Sequence, residues 1–195
     1  MKKIVYIIPG YCQSHLKQKG YNKIAKLFEG HGIQTVHVEM QWKKNNPQRF
    51  SDYTEQFLRA FKKPKNSKIY ILGFSYGATI AFLTAAKTKP NALILCSLSP
   101  YFEEDLKDLK QAWVKWFRRN FTQSDYSFTK LAPKIKSKTY LLVGDKEDAA
   151  CLVRAKDAKR KILNSTLVIA KGAQHNIGQE SYLKALKRVI SKLGK

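Results

Sequence analysis

Acidic residues are scarce. Only 14 aspartates and glutamates stand against 37 lysines and arginines in 195 residues, for a formal net charge of +23. Such an imbalance permits attraction to nucleic acid or anionic lipid. Lysine far outnumbers arginine, however, and lysines run along the whole chain, densest in KKPKNSK (62–68) and KIKSK (134–138). We read a lysine-rich surface with a weak, non-specific attraction for polyanions rather than a dedicated site. Cysteine is also rare. Cys12, Cys96 and Cys151 are odd in number, widely spaced and without a C-x-x-C, which argues against a disulfide framework or a zinc site and for reduced thiols in a cytoplasmic protein. No apolar run approaches the roughly 18 residues of a membrane span. The opening MKKIVYIIPGYC imitates a signal peptide, but its apolar run, residues 4–8, is short and ends at Pro9-Gly10. Tyr11 is too large for the residue before a lipoprotein cysteine, so this stretch reads as a buried strand. Missing as well are G-x-G-x-x-G, G-x-x-x-x-G-K-[ST] and any cluster with metal-ligand spacing, so neither cofactor nor metal is expected.

What is present is apolar and rhythmic. Hydrophobic residues make up 44% of the chain and aromatics 12%, enough for one domain burying about 70% of its unfolded surface. Short apolar runs at 4–8, 34–38, 69–73, 92–96, 139–144 and 166–170 do not alternate with polar residues, as expected of strands covered on both faces. Between them lie amphipathic segments. Tyr21, Ile24, Leu27 and Phe28 share one helical face, as do Tyr53, Phe57, Leu58 and Phe61, and Leu183, Leu186, Val189, Ile190 and Leu193. Strand–helix alternation predicts an α/β fold: a doubly wound, mostly parallel sheet of about six strands with helices on both faces. One connection breaks the rhythm. Residues 101–137 form an insertion in which Leu106, Leu109, Trp113, Trp116 and Phe117 make a helical stripe, followed by Phe121, Tyr126 and Phe128.

The stretch KIYILGFSYGATIAFLTAA (68–86) contains G-F-S-Y-G. Alone, the five letters arise by accident in about one chain of this length in fifteen. Here they lie between a β-branched, aromatic run and a good helix former, the strand–turn–helix context of a nucleophile elbow. Gly73 and Gly77 flank Ser75 where strand and helix must approach closely, and the turn lifts the hydroxyl above a helix N-terminus whose N–H groups can stabilise an oxyanion.

At these residues the chain resembles the α/β-hydrolase superfamily, and the resemblance spans nearly its whole length. It implies a minimal six-stranded version of the fold with strand order 2-1-3-4-5-6 and a short helical lid at about 101–137. It also implies a triad in the chain order serine, acid, histidine. His175, in the loop after the last strand, fits the histidine; His15, His31 and His37 fit it less well. The acid is open between Glu147, three residues past the glycine of LLVGDKEDAA, and Asp148, whose residue type is the more usual. Asp145 is expected to face away or cap the next helix. The oxyanion hole would use the N–H groups of Tyr76 and Tyr11, with Pro9-Gly10 standing where the family usually has His-Gly. The resemblance implies acyl transfer to water from a small-molecule carboxylic ester or thioester. Trp113, Trp116 and Phe117 either line an acyl pocket in the lid or simply dock its helix on the sheet. Two rivals remain: an inactive scaffold that binds a partner or polyanion, and an acyltransferase using the same triad.

Overall fold

The computed structural model describes residues 1–15, 18–42, 48–121 and 126–193. Six parallel strands, β1 (Lys2–Ile8), β2 (Gln34–His37), β3 (Ser67–Phe74), β4 (Ala92–Cys96), β5 (Lys138–Gly144) and β6 (Ser165–Ala170), form one sheet in the order β2-β1-β3-β4-β5-β6. The strand order and class expected from the sequence are therefore those observed. Helices α1 (Lys19–Glu29) and α7 (Glu180–Ile190) cover one face. Helices α2 (Phe50–Ala60), α3 (Tyr76–Thr88) and α6 (Ala149–Lys161) cover the other.

Burial on both faces explains the unbroken apolar runs. In β1, Ile4, Tyr6 and Ile8 point into the layer of α2 and α3, while Val5 and Ile7 point into that of α1 and α7. In β3, Ile69 and Ile71 divide from Tyr70, Leu72 and Phe74 in the same way, because successive side chains leave a strand on opposite faces. Two runs depart from the expected full burial. The strands β2 and β6 are the sheet edges, and only Ala170 of β6 is buried.

The long β4–β5 connection carries α4 (Gln111–Asn120), the short α5 (Phe128–Leu131) and a 3-10 turn (Ala132–Lys134). The expected stripe from Leu106 to Phe117 is only partly helical, since residues 102–109 form turns and bends before α4 begins. Residues 122–125 of the expected lid lie outside the described residues. This connection is riveted to α6 by a buried ion pair. Arg154, 3% exposed, donates to Asp105 and to Asp157 (2.8 Å), and its guanidinium lies 4.2 Å from the Phe128 ring centroid and 5.3 Å from that of Phe102. No helix among the described residues is long and apolar enough to cross a membrane.

Candidate active site

The sheet delivers three loops to one point at the carboxyl ends of its central strands. From β3 comes Ser75, the residue before α3, at φ 56° and ψ −121°. A non-glycine residue there is strained. The strain is held by the Ser75 N–H donating to the Cys96 carbonyl (2.8 Å) and by the Ser75 carbonyl accepting from Ala78 and Thr79. The flanking glycines are sterically required. A Cβ on Gly73 would sit 2.2 Å from the Gly77 carbonyl oxygen, and one on Gly77 would sit 2.3 Å from that of Ile8 and 2.4 Å from that of Pro9. The elbow therefore packs backbone on backbone against the β1 loop.

From the β6–α7 loop comes His175, resting on the Phe74 ring at a centroid distance of 4.8 Å. Its Nε2 is 3.0 Å from Ser75 Oγ, and its Nδ1 is 2.7 Å from Glu147 Oε2. Beside an ionised Glu147 the imidazole carries its proton on Nδ1, which leaves the Nε2 lone pair facing the serine. The imidazole is about 42% exposed and the Glu147 side chain 0%, so the histidine has a solvent side while its carboxylate partner has none.

The β5–α6 turn separates the three acids left open above. Glu147 meets His175. Asp148 is the N-cap of α6, its Oδ1 accepting from the Ala150 N–H at 2.9 Å. Asp145 Oδ1 accepts from the Gly172 N–H at 2.7 Å and so ties the two loops together. The helix cap expected of Asp145 is thus supplied by Asp148, because Asp148 is the residue immediately before α6.

Two side chains that the motif did not indicate complete the arrangement. Glu147 Oε1 accepts from the Gly144 N–H and from Ser97 Oγ, both at 2.7 Å. Ser97 is fully buried at φ 50°, just past β4, and the Tyr182 hydroxyl of α7 lies 2.8 Å from its Oγ and 3.2 Å from the Leu142 carbonyl oxygen. Burial pushes the Tyr182 phenol well above its usual value, so it stays neutral. Ser99, 4% exposed, places its Oγ 3.5 Å from that of Ser75. Only a polar residue directly after a buried strand hinted at Ser97; nothing in the local sequence pointed to Tyr182.

Glu147, Cys151 and His175 also bring ligand atoms within 4.8 Å of one another, the one such group among the described residues. Burial pushes the Cys151 thiol up to about 12, with Glu147 adding to the shift. Two of the three, Glu147 and His175, already bond each other through Oε2 and Nδ1.

Tyr11 and Tyr76 lie side by side, ring centroids 5.4 Å apart. As the first residue of α3, Tyr76 has an N–H with no intrahelical acceptor. Trp116 borders both rings, at 6.0 and 6.3 Å, and is 41% exposed. With Tyr101 and Trp113 it lines a cleft of about 260 Å³, and Trp113 also borders a second cleft of about 280 Å³ with Leu109, Lys110 and Val153. Phe117 behaves differently. It is fully buried and stacked on Tyr101 at 4.4 Å, so it docks α4 rather than lining a cleft. The remaining histidines stand elsewhere. His15 is buried against Tyr21 and His37 with Nδ1 3.1 Å from Glu39, burial and His37 together lowering its pKa, while His31 bonds the Leu27 carbonyl oxygen.

Comparison with known proteins agrees with this architecture. The family model described as "Serine aminopeptidase, S33" matches residues 1–195. Est1E from Butyrivibrio proteoclasticus, solved with ferulic acid bound, superposes with a TM-score of 0.76 at 17% identity, over 98% of this chain and 88% of that one. MGS-MChE2, an α/β hydrolase from a lagoon-sediment metagenome, gives 0.73 at 18% identity over 98% and 90%. MenH from S. aureus gives 0.72 at 17% identity over 98% and 92%. The search of curated proteins returned no match. The chain belongs to the serine aminopeptidase S33 family and is an α/β-hydrolase enzyme.

Proposed function

We propose that the protein is a serine hydrolase that cleaves a carboxylic ester or thioester through an acyl-enzyme on Ser75. The observation that carries this reading is the unbroken hydrogen-bonded line Ser75–His175–Glu147 beneath a strained elbow. His175 Nε2 takes the Ser75 proton as Oγ attacks the carbonyl carbon. Glu147 holds the Nδ1 proton and stabilises the imidazolium. The oxyanion receives the N–H groups of Tyr76 and Tyr11. His175 then returns the proton to the leaving alcohol or thiol, and water repeats the sequence to release the acid and free Ser75. The 101–137 insertion acts as the lid, and Trp113, Trp116 and Tyr101 form the acyl-binding wall. A line closed through all three groups argues against an inactive scaffold.

The test is labelling with a fluorophosphonate, read by intact mass and peptide mapping, followed by turnover of p-nitrophenyl esters and aminoacyl anilides. A single adduct on Ser75 that disappears in Ser75→Ala, with turnover of esters, supports the reading. No adduct, or one on another residue, overturns it. Turnover of anilides alone keeps the nucleophile but replaces the substrate class.

A further inference from the structure

The topology sorts charge in a way that composition does not reveal. Each helix following a strand of a parallel sheet runs back across it. The C-termini of α1, α2, α3, α6 and α7 therefore gather with the helix-to-strand turns at the end of the molecule away from Ser75. Each of these helices has a basic residue in its last turn, where a cation complements the helix dipole. The dipole does not account for the connections. The segments entering β3, β4 and β5 carry Lys62, Lys63, Lys65, Lys89, Lys134 and Lys136 and no acid.

Three of them, Lys89, Lys134 and Lys136, line one of two adjoining grooves at this end. That groove, of about 540 Å³, is also lined by Lys138, Asn91 and Asn164, and a smaller one shares Asn91 and Lys138 and adds Lys68 and Lys192. The ion pairs among the described residues involve none of these groove lysines. The acids at this end are engaged, Glu29 by the Thr35 hydroxyl and Asp157 by Arg154, Arg160 and Lys161. Glu39, Glu103, Asp108, Asp145 and Asp148, by contrast, lie in strand-to-helix connections at the opposite end.

The same basic end presents Leu163, 82% exposed in the turn between α6 and β6, next to the groove residue Asn164. Lysines around a projecting apolar side chain suit an anionic lipid surface, the lysines drawing the protein to it and the leucine entering the headgroup region. Nucleic acid suits this face less well. No arginine fork lines either groove, and Tyr70, the aromatic at the smaller one, is 2% exposed with its hydroxyl on the Leu193 carbonyl oxygen. We propose that the end formed by the starts of β3, β4 and β5 docks on anionic phospholipid bilayers, leaving the Ser75 end turned to solvent.

The test is co-sedimentation of the full chain with phosphatidylcholine vesicles, with and without about 30 mol% phosphatidylglycerol, across a salt series. Binding is expected only with phosphatidylglycerol, and to vanish toward about 0.5 M NaCl as the surface field is screened. Two separate charge reversals, Lys134→Glu/Lys136→Glu/Lys138→Glu and Lys62→Glu/Lys63→Glu/Lys65→Glu, should each weaken it about tenfold or more. Lys107→Glu/Lys110→Glu/Lys115→Glu, with the same change in net charge at the other end, should alter it less than about twofold. Leu163→Ser should weaken vesicle binding while leaving retention on a DNA duplex unchanged. Equal losses in all three triple variants, no binding to the anionic vesicles at low salt, or binding to the duplex without binding to vesicles would each overturn the proposal.

Discussion

Glu147 and Asp148 are adjacent and chemically alike, yet one faces an imidazole and the other a helix N-terminus. Exchanging charge for a neutral isostere separates their roles. Glu147→Gln should lower kcat by about 10³–10⁴-fold, because a neutral amide neither favours the Nδ1 tautomer nor stabilises the imidazolium. Asp148→Asn should leave kcat within about threefold and cost at most about 1 kcal/mol of stability, since asparagine also caps. Comparable losses in the two variants would contradict the assignment. Ser97 and Tyr182 act one and two hydrogen bonds behind Glu147. Ser97→Ala leaves a buried carboxylate oxygen one donor short, worth about 1.5–3 kcal/mol. We expect a fall of about ten- to a hundredfold in kcat with KM little changed, together with a displaced acid limb of the pH–rate profile. A purely structural role would lower thermal stability and leave that limb in place. Tyr182→Phe should show the same pattern more weakly.

At the scale of elements, the β4–β5 connection is anchored at two separate places. Arg154 bridges Asp105 and Asp157 from within α6. Arg154→Met strips a buried carboxylate of its partner and should cost about 3–5 kcal/mol in urea unfolding. The double variant Arg154→Met/Asp105→Leu, which leaves no lone charge, should recover much of that. The second is internal to the connection, where Glu104 joins its first part to Ser127, Phe128 and Thr129. Partial burial opposes ionisation of Glu104, but hydrogen bonds from Ser127 Oγ and the Thr129 and Phe128 N–H groups hold its carboxyl down to about 2, against an ordinary 4.5. A carboxyl depressed on folding contributes stability above its unfolded value and loses it as pH falls through the folded one. The stability difference between wild type and Glu104→Gln should therefore hold steady above about pH 5 and shrink between pH 4.5 and 2. Because the carboxyl is only partly buried and solvent screens it, that difference should stay below about 1 kcal/mol. A difference that grows on acidification would refute the assignment.

For the whole molecule, a net charge of +23 is a standing self-repulsion, concentrated where the helices end. Raising NaCl from about 0.05 to 0.5 M shortens the Debye length severalfold, so the melting temperature should rise with salt. A fall would mean that favourable ion pairs outweigh the repulsion. At this scale the acids crowd the reactive end of the sheet while the opposite end carries lysines with few acids among them, so the two ends can meet different surroundings.

Much of this was legible along the chain. Apolar runs without alternation require strands buried on both faces, and their spacing left room for helices between them, so the class followed from local pattern, while the strand order came from the resemblance to α/β hydrolases. The elbow was legible for a related reason. A serine in a left-handed turn between strand and helix needs small neighbours, and Gly73 and Gly77 carry that steric demand in the sequence itself. His175 was picked out by the resemblance to α/β hydrolases, which asks for a histidine after the last strand. Which of two adjacent carboxylates turns toward His175 depends on Oε and Oδ positions that only the packed turn defines. Ser97 and Tyr182 are 85 residues apart and become neighbours only when β4 and α7 pack together. Phe117 and Trp116 are adjacent on one helix, yet one is buried under Tyr101 and the other is left open, an outcome of helix rotation that a stripe of aromatics does not specify. The lysines showed the same limit. The sequence determined their number, but the parallel sheet, by returning its flanking helices to the same end, decided where they would stand.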